Sequence, residues 1–449
     1  MKNKLIALCS VLICQYACLN TSQAQSRQEE APLQVTPVIT RVLIDSIRQS
    51  MDRNYIFPDT ARKMTAYLEE EYKKGAYATI KDPQDLARRL EQDLRKAHHD
   101  GHFHLRYAPG FARQLSDTTH VSDRRRVDDS LELVNMRAMN FLFTKVEILP
   151  GNIGYVQFNG FTGFLWEARP TFTSAFRFVA NTKALIIDLR TNGGGSPAMV
   201  SLVASYFFPT KKHWNDIIYR DRKGEFWTDP ADVDSLTLSM PVYILTSKHT
   251  FSGAEDFSYG MQSLRRAIIV GDTTGGGAHP ARPFIIGLGF VADIPFARSL
   301  NPYTNTDWEG TGVIPDLPVA SGKALESAER AFLMTQVKNA KTELETRQVQ
   351  WQLNRLIAMQ GTERLDTSFL ASLTGMYQGG LDFYVQGHDL YCKNRERGNV
   401  IFQLQHIDSN LFVLDENVEV EFTKDDKGKF SGINMLWSNG RVSYKPKEK

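Results

Sequence analysis

The fold turns on the stretch PVYILTSKHTFSGAEDFSYG, residues 241–260. Its first part, PVYILTS, is a short apolar, branched-rich run of the kind that forms a buried strand. From Ala254 on the texture is helical. Between them stands Ser252, followed by Gly253, Ala254 and the acidic pair Glu255-Asp256. A serine in front of a helix is most often an N-cap, accepting a hydrogen bond from a free N–H of the first turn. Glu255, three residues on, completes a capping-box pattern. A serine at a strand-to-helix corner can also be a nucleophile. Its Oγ then faces the positive end of the helix dipole and backbone N–H groups that hold a developing oxyanion. Such a nucleophile needs a base, a group that orients the base, and a second oxyanion donor.

Outward from this stretch the same texture repeats. IGYVQF (153–158), ALIIDLR (184–190) and AIIVGD (267–272) read as short strands. Helix-like segments at 197–207 and 254–265 alternate with them, which predicts an α/β core with a largely parallel sheet. Residues 35–100 carry helical periodicity instead. Val42, Leu43, Ile47 and Met51 mark a first helix, Pro58 opens a second through Tyr72, and Asp82-Pro83 opens a third with Leu86, Leu90 and Leu94 on one face. A charged helix is predicted over 124–140, and helix again over 320–360, ending near Gly361. From 375 on, LFVLDENVEVEF and MLWSNGRVSY alternate, with Gly and Asn-Gly turns, and predict a small antiparallel β module. Its Tyr377, Phe383, Tyr384 and Tyr391 are expected in a core rather than on a sugar-binding platform. The overall class is α/β, α+β when the flanking parts are counted.

The 449 residues suit two or three domains, and 42% hydrophobic content is ordinary for a globular chain. The first residues, MKNKLIALCSVLICQYACLNTSQAQS, place Lys2 and Lys4 before an apolar run that ends in Ser22-Gln23-Ala24. That is a leader with cleavage expected after Ala24, and it implies export to the periplasm or beyond. Cys9, Cys14 and Cys18 would leave with it, so Cys392 is left without a disulfide partner or a cysteine metal site. Loss of Lys2 and Lys4 takes the net charge from +2 to zero, which gives no footprint for nucleic acid or an anionic membrane. No second apolar run is long enough to span a bilayer. Oligomeric state is not legible.

Three segments supply partners for Ser252. KAHHDGHFHLRY (96–107) holds His98, His99, His102 and His104. His102 and His104 alternate as metal ligands on one strand face would, but no HExxH pattern accompanies them and no metal is expected. One of the histidines suits a general base, because imidazole titrates near neutrality. ALIIDLRTNGGGSP (184–197) runs a strand into three glycines. It lacks the GxGxxG spacing of a dinucleotide loop and the GK[ST] of a P-loop. Such glycines let the backbone approach a substrate and offer N–H donors. Glu309 lies in the Gly-rich segment TDWEGTGVIPDLPV (306–319), where a lone glutamate is ordinarily just solvated.

Together these segments resemble the tail-specific, or C-terminal processing, serine peptidases. The likeness is greatest to the branch of interphotoreceptor retinoid-binding protein and the tricorn protease core. NYIFPDTARKM, DGHFHL, ILPGNIGYVQF, DLRTNGGGS, TFSGAEDF, GDTTGGGA and EGTGVIPD follow one another in the family's order over roughly residues 36–320. The resemblance implies a ClpP/crotonase-like α/β core over 146–335. A helical domain (30–145) precedes it, and a helical linker (336–364) and a β domain (365–449) follow. It implies Ser252 as nucleophile, His102 as base, Glu309 as the acid that completes the set, and an oxyanion hole from Gly253 with Gly194 or Gly195. No cofactor is implied, and the substrate implied is a peptide or unfolded protein.

The chain also departs from the pattern. Many relatives use a lysine inside TFGKG; here the segment is TTGGG and Gly276 stands at that place, which shifts weight to His102 and Glu309. Gly101 stands where the tricorn core has a serine before its histidine. About fifty residues separate His102 from Ile153, too few for the PDZ domain that many relatives carry. The expected reaction is acyl transfer from a peptide bond. The competing classes are an ester hydrolase and a non-catalytic binder of apolar ligands.

Overall fold

The computed structural model describes residues 33–116, 121–359 and 365–448. The leader, its cleavage point after Ala24 and Gly361 lie outside the described residues. The first three helices span Pro37–Asn54, Pro58–Lys73 and Pro83–Ala97. Each begins with proline, whose missing N–H would have had no intrahelical partner there. Thr36 and Asp82 cap the first and third through their side chains. Leu43, Ile47, Met51, Leu86, Leu90 and Leu94 are buried in one cluster. Val42 departs from the predicted stripe and is exposed, since adjacent helical residues point about 100° apart. The cluster also takes Phe290, Ala292 and Ile294. These come from strand Phe290–Pro295, which pairs antiparallel with Ala281–Gly287 on one side and His104–Tyr107 on the other. The helical part and the core are thus joined through one sheet.

The core sheet has six strands in the order Leu317–Pro318, Ala267–Gly271, Val242–Thr246, Ala184–Asp188, Ile153–Phe158, Phe143–Leu149. All neighbours are parallel except the last pair. Ala184–Asp188 and Val242–Thr246 are buried at every position, as expected of central parallel strands covered on both faces. Phe172, Val200, Val203 and Phe257, from helices Leu165–Phe178, Pro197–Ser205 and Gly253–Ser263, pack one face. Ala328 and Phe332 of Ala324–Asn339 pack the other. The loops at the carboxyl ends of the central strands therefore open on one edge, the usual position of a site in such sheets.

The predicted helix over 320–360 is two helices, Ala324–Asn339 and Glu343–Met359. Thr342 and Glu345 form a capping box between them. The Glu345 N–H donates to the Thr342 hydroxyl, and the Glu345 carboxylate accepts from the Lys341 and Thr342 N–H groups. The second helix places Leu353 in the core and Ala358 against Ile407 and Val413 of the β module. That module is two antiparallel sheets of four and five strands. Tyr377 and Phe383 lie in its core. Tyr384 and Tyr391 do not: they oppose each other across two strands and stack half-buried at 5.7 Å. Among the described residues, no helix is long and apolar enough to cross a membrane.

Candidate active site

The turn after Val242–Thr246 is stitched to the turn after Ala184–Asp188. The Ser247 and Thr250 hydroxyls donate to the Arg190 and Leu189 carbonyls at 2.6 and 2.8 Å, and the Phe251 N–H donates to the Asn192 carbonyl at 3.1 Å. Ser252 follows at φ 53°, ψ −119°. A non-glycine residue held there costs about 1–3 kcal/mol and persists only when its surroundings impose it. Glu255 is what imposes it. Fully buried, its carboxylate accepts from the Ser252 N–H (2.8 Å), the Gly276 N–H (2.6 Å), the Gly277 N–H (2.8 Å) and the Thr274 hydroxyl (2.5 Å). Burial raises its pKa, and these donors oppose the rise.

The predicted capping box is present, and its Glu255 half is closed as a hydrogen bond from the Ser252 N–H. The Ser252 hydroxyl makes no hydrogen bond among the described residues, and its Oγ is left to a cavity of about 210 Å3. His102, Gly195, Gly253, Asp256 and Trp308 line the same cavity.

The GGG turn enters it at close quarters. A Cβ on Gly195 would stand 2.0 Å from the Phe161 carbonyl oxygen, and one on Gly253 would stand 3.0 Å from the Gly195 nitrogen. The Gly194 N–H donates to Asn192 Oδ1 at 2.9 Å. Of the two glycines expected as donors, Gly194 is thus already engaged. The Gly195 and Gly253 N–H groups are adjacent and have no acceptor among the described residues.

His102 reaches the cavity from the other side. Its N–H donates to Asp100 Oδ1 at 3.0 Å, and its ring packs on Phe251, the residue before Ser252, with centroids 4.7 Å apart. No hydrogen bond joins His102 to Ser252 or to Glu309. Among the described residues, buried His102 Nδ1 and Glu309 Oε1 both lack a hydrogen-bond partner. Asp100, His102 and Glu309 nevertheless each bring one polar atom to within 4.8 Å of the others. That spacing would also suit a cation, but both Asp100 oxygens are already engaged. Burial pushes the His102 pKa down to about 4 and that of Glu309 up to about 7. The paired-histidine metal reading is not assembled. His104 lies in the exposed strand position beside Glu91 and Arg95, away from the cavity.

Behind His102 is a network that sequence reasoning missed. Asp100 Oδ2 accepts from the Tyr55 hydroxyl (2.9 Å) and meets His279 Nδ1 (3.0 Å). His279 Nδ1 is also 3.5 Å from Glu309 Oε2, which accepts from the Ala278 N–H at 2.5 Å. Asp100 opens the quoted DGHFHL segment and His279 directly follows the quoted GDTTGGGA, but nothing in either segment signals that the two meet.

Comparison with known proteins adds independent findings. The model of the N-terminal domain of peptidase S41 in eukaryotic IRBP matches residues 36–150, and that of peptidase family S41 matches 152–319. The chloroplastic carboxyl-terminal-processing peptidase 2 of Arabidopsis thaliana is 29% identical over 160 residues, 34% of this chain; the chain covers 28% of that relative's length. Among solved structures, a candidate peptidase from Parabacteroides merdae is 21% identical, with a TM-score of 0.48 over 69% of this chain and 100% of the other. The photosystem II D1 C-terminal processing protease is 16% identical, with a TM-score of 0.38 over 63% of this chain and 93% of the other. Two models of one family thus run in succession across residues 36–319, and the chain belongs to peptidase family S41.

Proposed function

We infer that the protein is an exported serine peptidase that cleaves peptide bonds through an acyl-enzyme on Ser252. One observation carries this reading. The unbonded Ser252 Oγ, held by a strained turn, shares a cavity with the His102 ring and with two unclaimed N–H groups, those of Gly195 and Gly253. Membership of a peptidase family supports it, and the leader-like N-terminus supports export.

The chemistry follows from the groups present. His102, neutral near pH 7, takes the Ser252 proton as Oγ adds to the peptide carbonyl. The oxyanion sits on the Gly195 and Gly253 N–H groups, the latter at the positive end of helix Gly253–Ser263. His102 returns the proton to the leaving amine, the peptide C–N bond breaks, and water repeats the sequence on the ester. Glu309, which brings one carboxylate oxygen to within 4.8 Å of a His102 ring nitrogen, orients the ring and holds its charge when the two close up.

The test incubates the chain from Gln25 onward, and its Ser252→Ala variant, with a diverse peptide mixture and reads new termini by mass spectrometry. Cleavage by the wild type alone is the expected result. No cleavage by either folded protein would overturn the reading.

A further inference from the structure

The cavity that holds Ser252 has a second end. Asp256 lies one turn into helix Gly253–Ser263, on the same face as Gly253 because residues three apart are helical neighbours. Only 5% of it is exposed, and it lines the cavity that holds the Ser252 Oγ. No cation accompanies it: Asp256 is in no ion pair among the described residues. The neutral Asn215 amide and Trp214 indole act on it as hydrogen-bonding neighbours and favour its ionised form, but neither brings a counter-charge. Burial pushes Asp256 up to about 7.

A carboxylate in this position is costly while it has no counter-charge. Its neighbours in the cavity are suited to an incoming chain rather than to water. Pro197, Ile217 and Trp308 provide apolar wall, and Ser299 adds one hydroxyl. About 210 Å3 takes one side chain, not a length of peptide. An aliphatic stem that ends in a cation would lie along the wall and place its charge on Asp256. Because the cavity also contains the attacking Oγ and the two N–H groups, the side chain that enters it belongs to the residue whose carbonyl is attacked.

Resting on the peptidase reading above, we propose that Asp256 is a specificity-determining residue that selects lysine or arginine on the acyl side of the scissile bond. An ion pair formed inside the cavity is made only with the right substrate, so it discriminates among substrates.

Peptides identical except at that residue, carrying lysine, arginine, norleucine, leucine or glutamate, test the assignment. The wild type is expected to prefer lysine or arginine over norleucine in kcat/KM by about 10- to 100-fold, the worth of a charge-assisted contact. Asp256→Asn is expected to reduce that ratio to near one. n-Butylammonium, which fits the cavity without offering a peptide bond, is expected to compete with the lysine peptide in the wild type. It carries the test alone should the variant not fold. Equal cleavage of norleucine and lysine peptides overturns the assignment while leaving the peptidase reading intact. Cleavage of none of the peptides overturns both.

Discussion

Asp100 and His279 are 179 residues apart in the chain, yet their side chains meet at 3.0 Å in the interior, Oδ2 to Nδ1. The pair stands directly behind the site. Asp100 Oδ1 holds the His102 N–H, and His279 faces Glu309. Two residues with proposed catalytic roles are therefore tied to one buried pair.

This pair makes stability depend on pH in a definite direction. Burial alone would lower the His279 pKa, but the bond to Asp100 and the charges of Glu309 and Asp100 raise it above 6.5. Burial alone would raise that of Asp100, but His279, Tyr55 and the His102 N–H bring it below 3.8. The His279 contribution is full below 6.5 and is lost as pH rises through its folded value. The Asp100 contribution is present above 3.8 and is lost as pH falls through its folded value. Asp100→Asn should cost about 3–5 kcal/mol at pH 6, where both partners are charged, and clearly less at pH 9. Urea unfolding at the two pH values measures it; an equal loss at both would count against the ion pair.

Glu309 should show opposite signs in stability and activity. Burial raises it to about 7 from an ordinary 4.5. Its contribution to stability is full below 4.5 and is lost as pH rises through 7. Glu309→Gln should therefore be about 2 kcal/mol more stable than the wild type at pH 8. The same variant should lose about 10²-fold or more in kcat/KM, together with the rise in activity near pH 7 that marks Glu309 ionisation. A pH–rate profile of each protein beside its unfolding curve reads both. A variant as active as the wild type at pH 8 would remove Glu309 from the mechanism.

Glu255 serves four donors at once. In Glu255→Gln one oxygen becomes an NH2 group, so donors face a donor in a fully buried place. The expected loss is about 3 kcal/mol, with a fall in kcat because the Ser252 turn relaxes. A thermal melt and a denaturant series would detect it. A loss below about 0.5 kcal/mol, the range of ordinary surface changes, would mean that Glu255 does not hold the turn.

Gly277 leaves room for His102. An added Cβ would lie 2.2 Å from the end of the Phe251 ring and 2.7 Å from His102 Cε1. Both are side-chain atoms that can move, so Gly277→Ala should fold but displace the base. Misplacement by about 1 Å costs on the order of 10²-fold in rate. Unchanged kcat with a normal melt would show that His102 does not depend on this gap.

The linear chain determined a good deal by itself. The apolar runs at 184–188 and 242–246 are strands buried at every position, as parallel strands covered on both faces must be, and those at 153–158 and 267–271 flank them. Proline and its preceding cap place the helix starts at residues 37 and 83, since those signals act within one turn. Ser252, His102, Gly253 and Gly195 are singled out by the likeness of their segments to the family's, since local spacing leaves the base open among four histidines. What the tertiary structure decided is which of these groups remain free. Gly194 and Gly195 are alike in sequence, and only the Asn192 side chain folding back separates the engaged N–H from the open one. Asp100 with His279, and the unpaired Asp256 beside Ser252, are likewise products of burial and of contacts between distant segments. Desolvation and through-space charge set the states of these groups, and neither depends on distance along the chain.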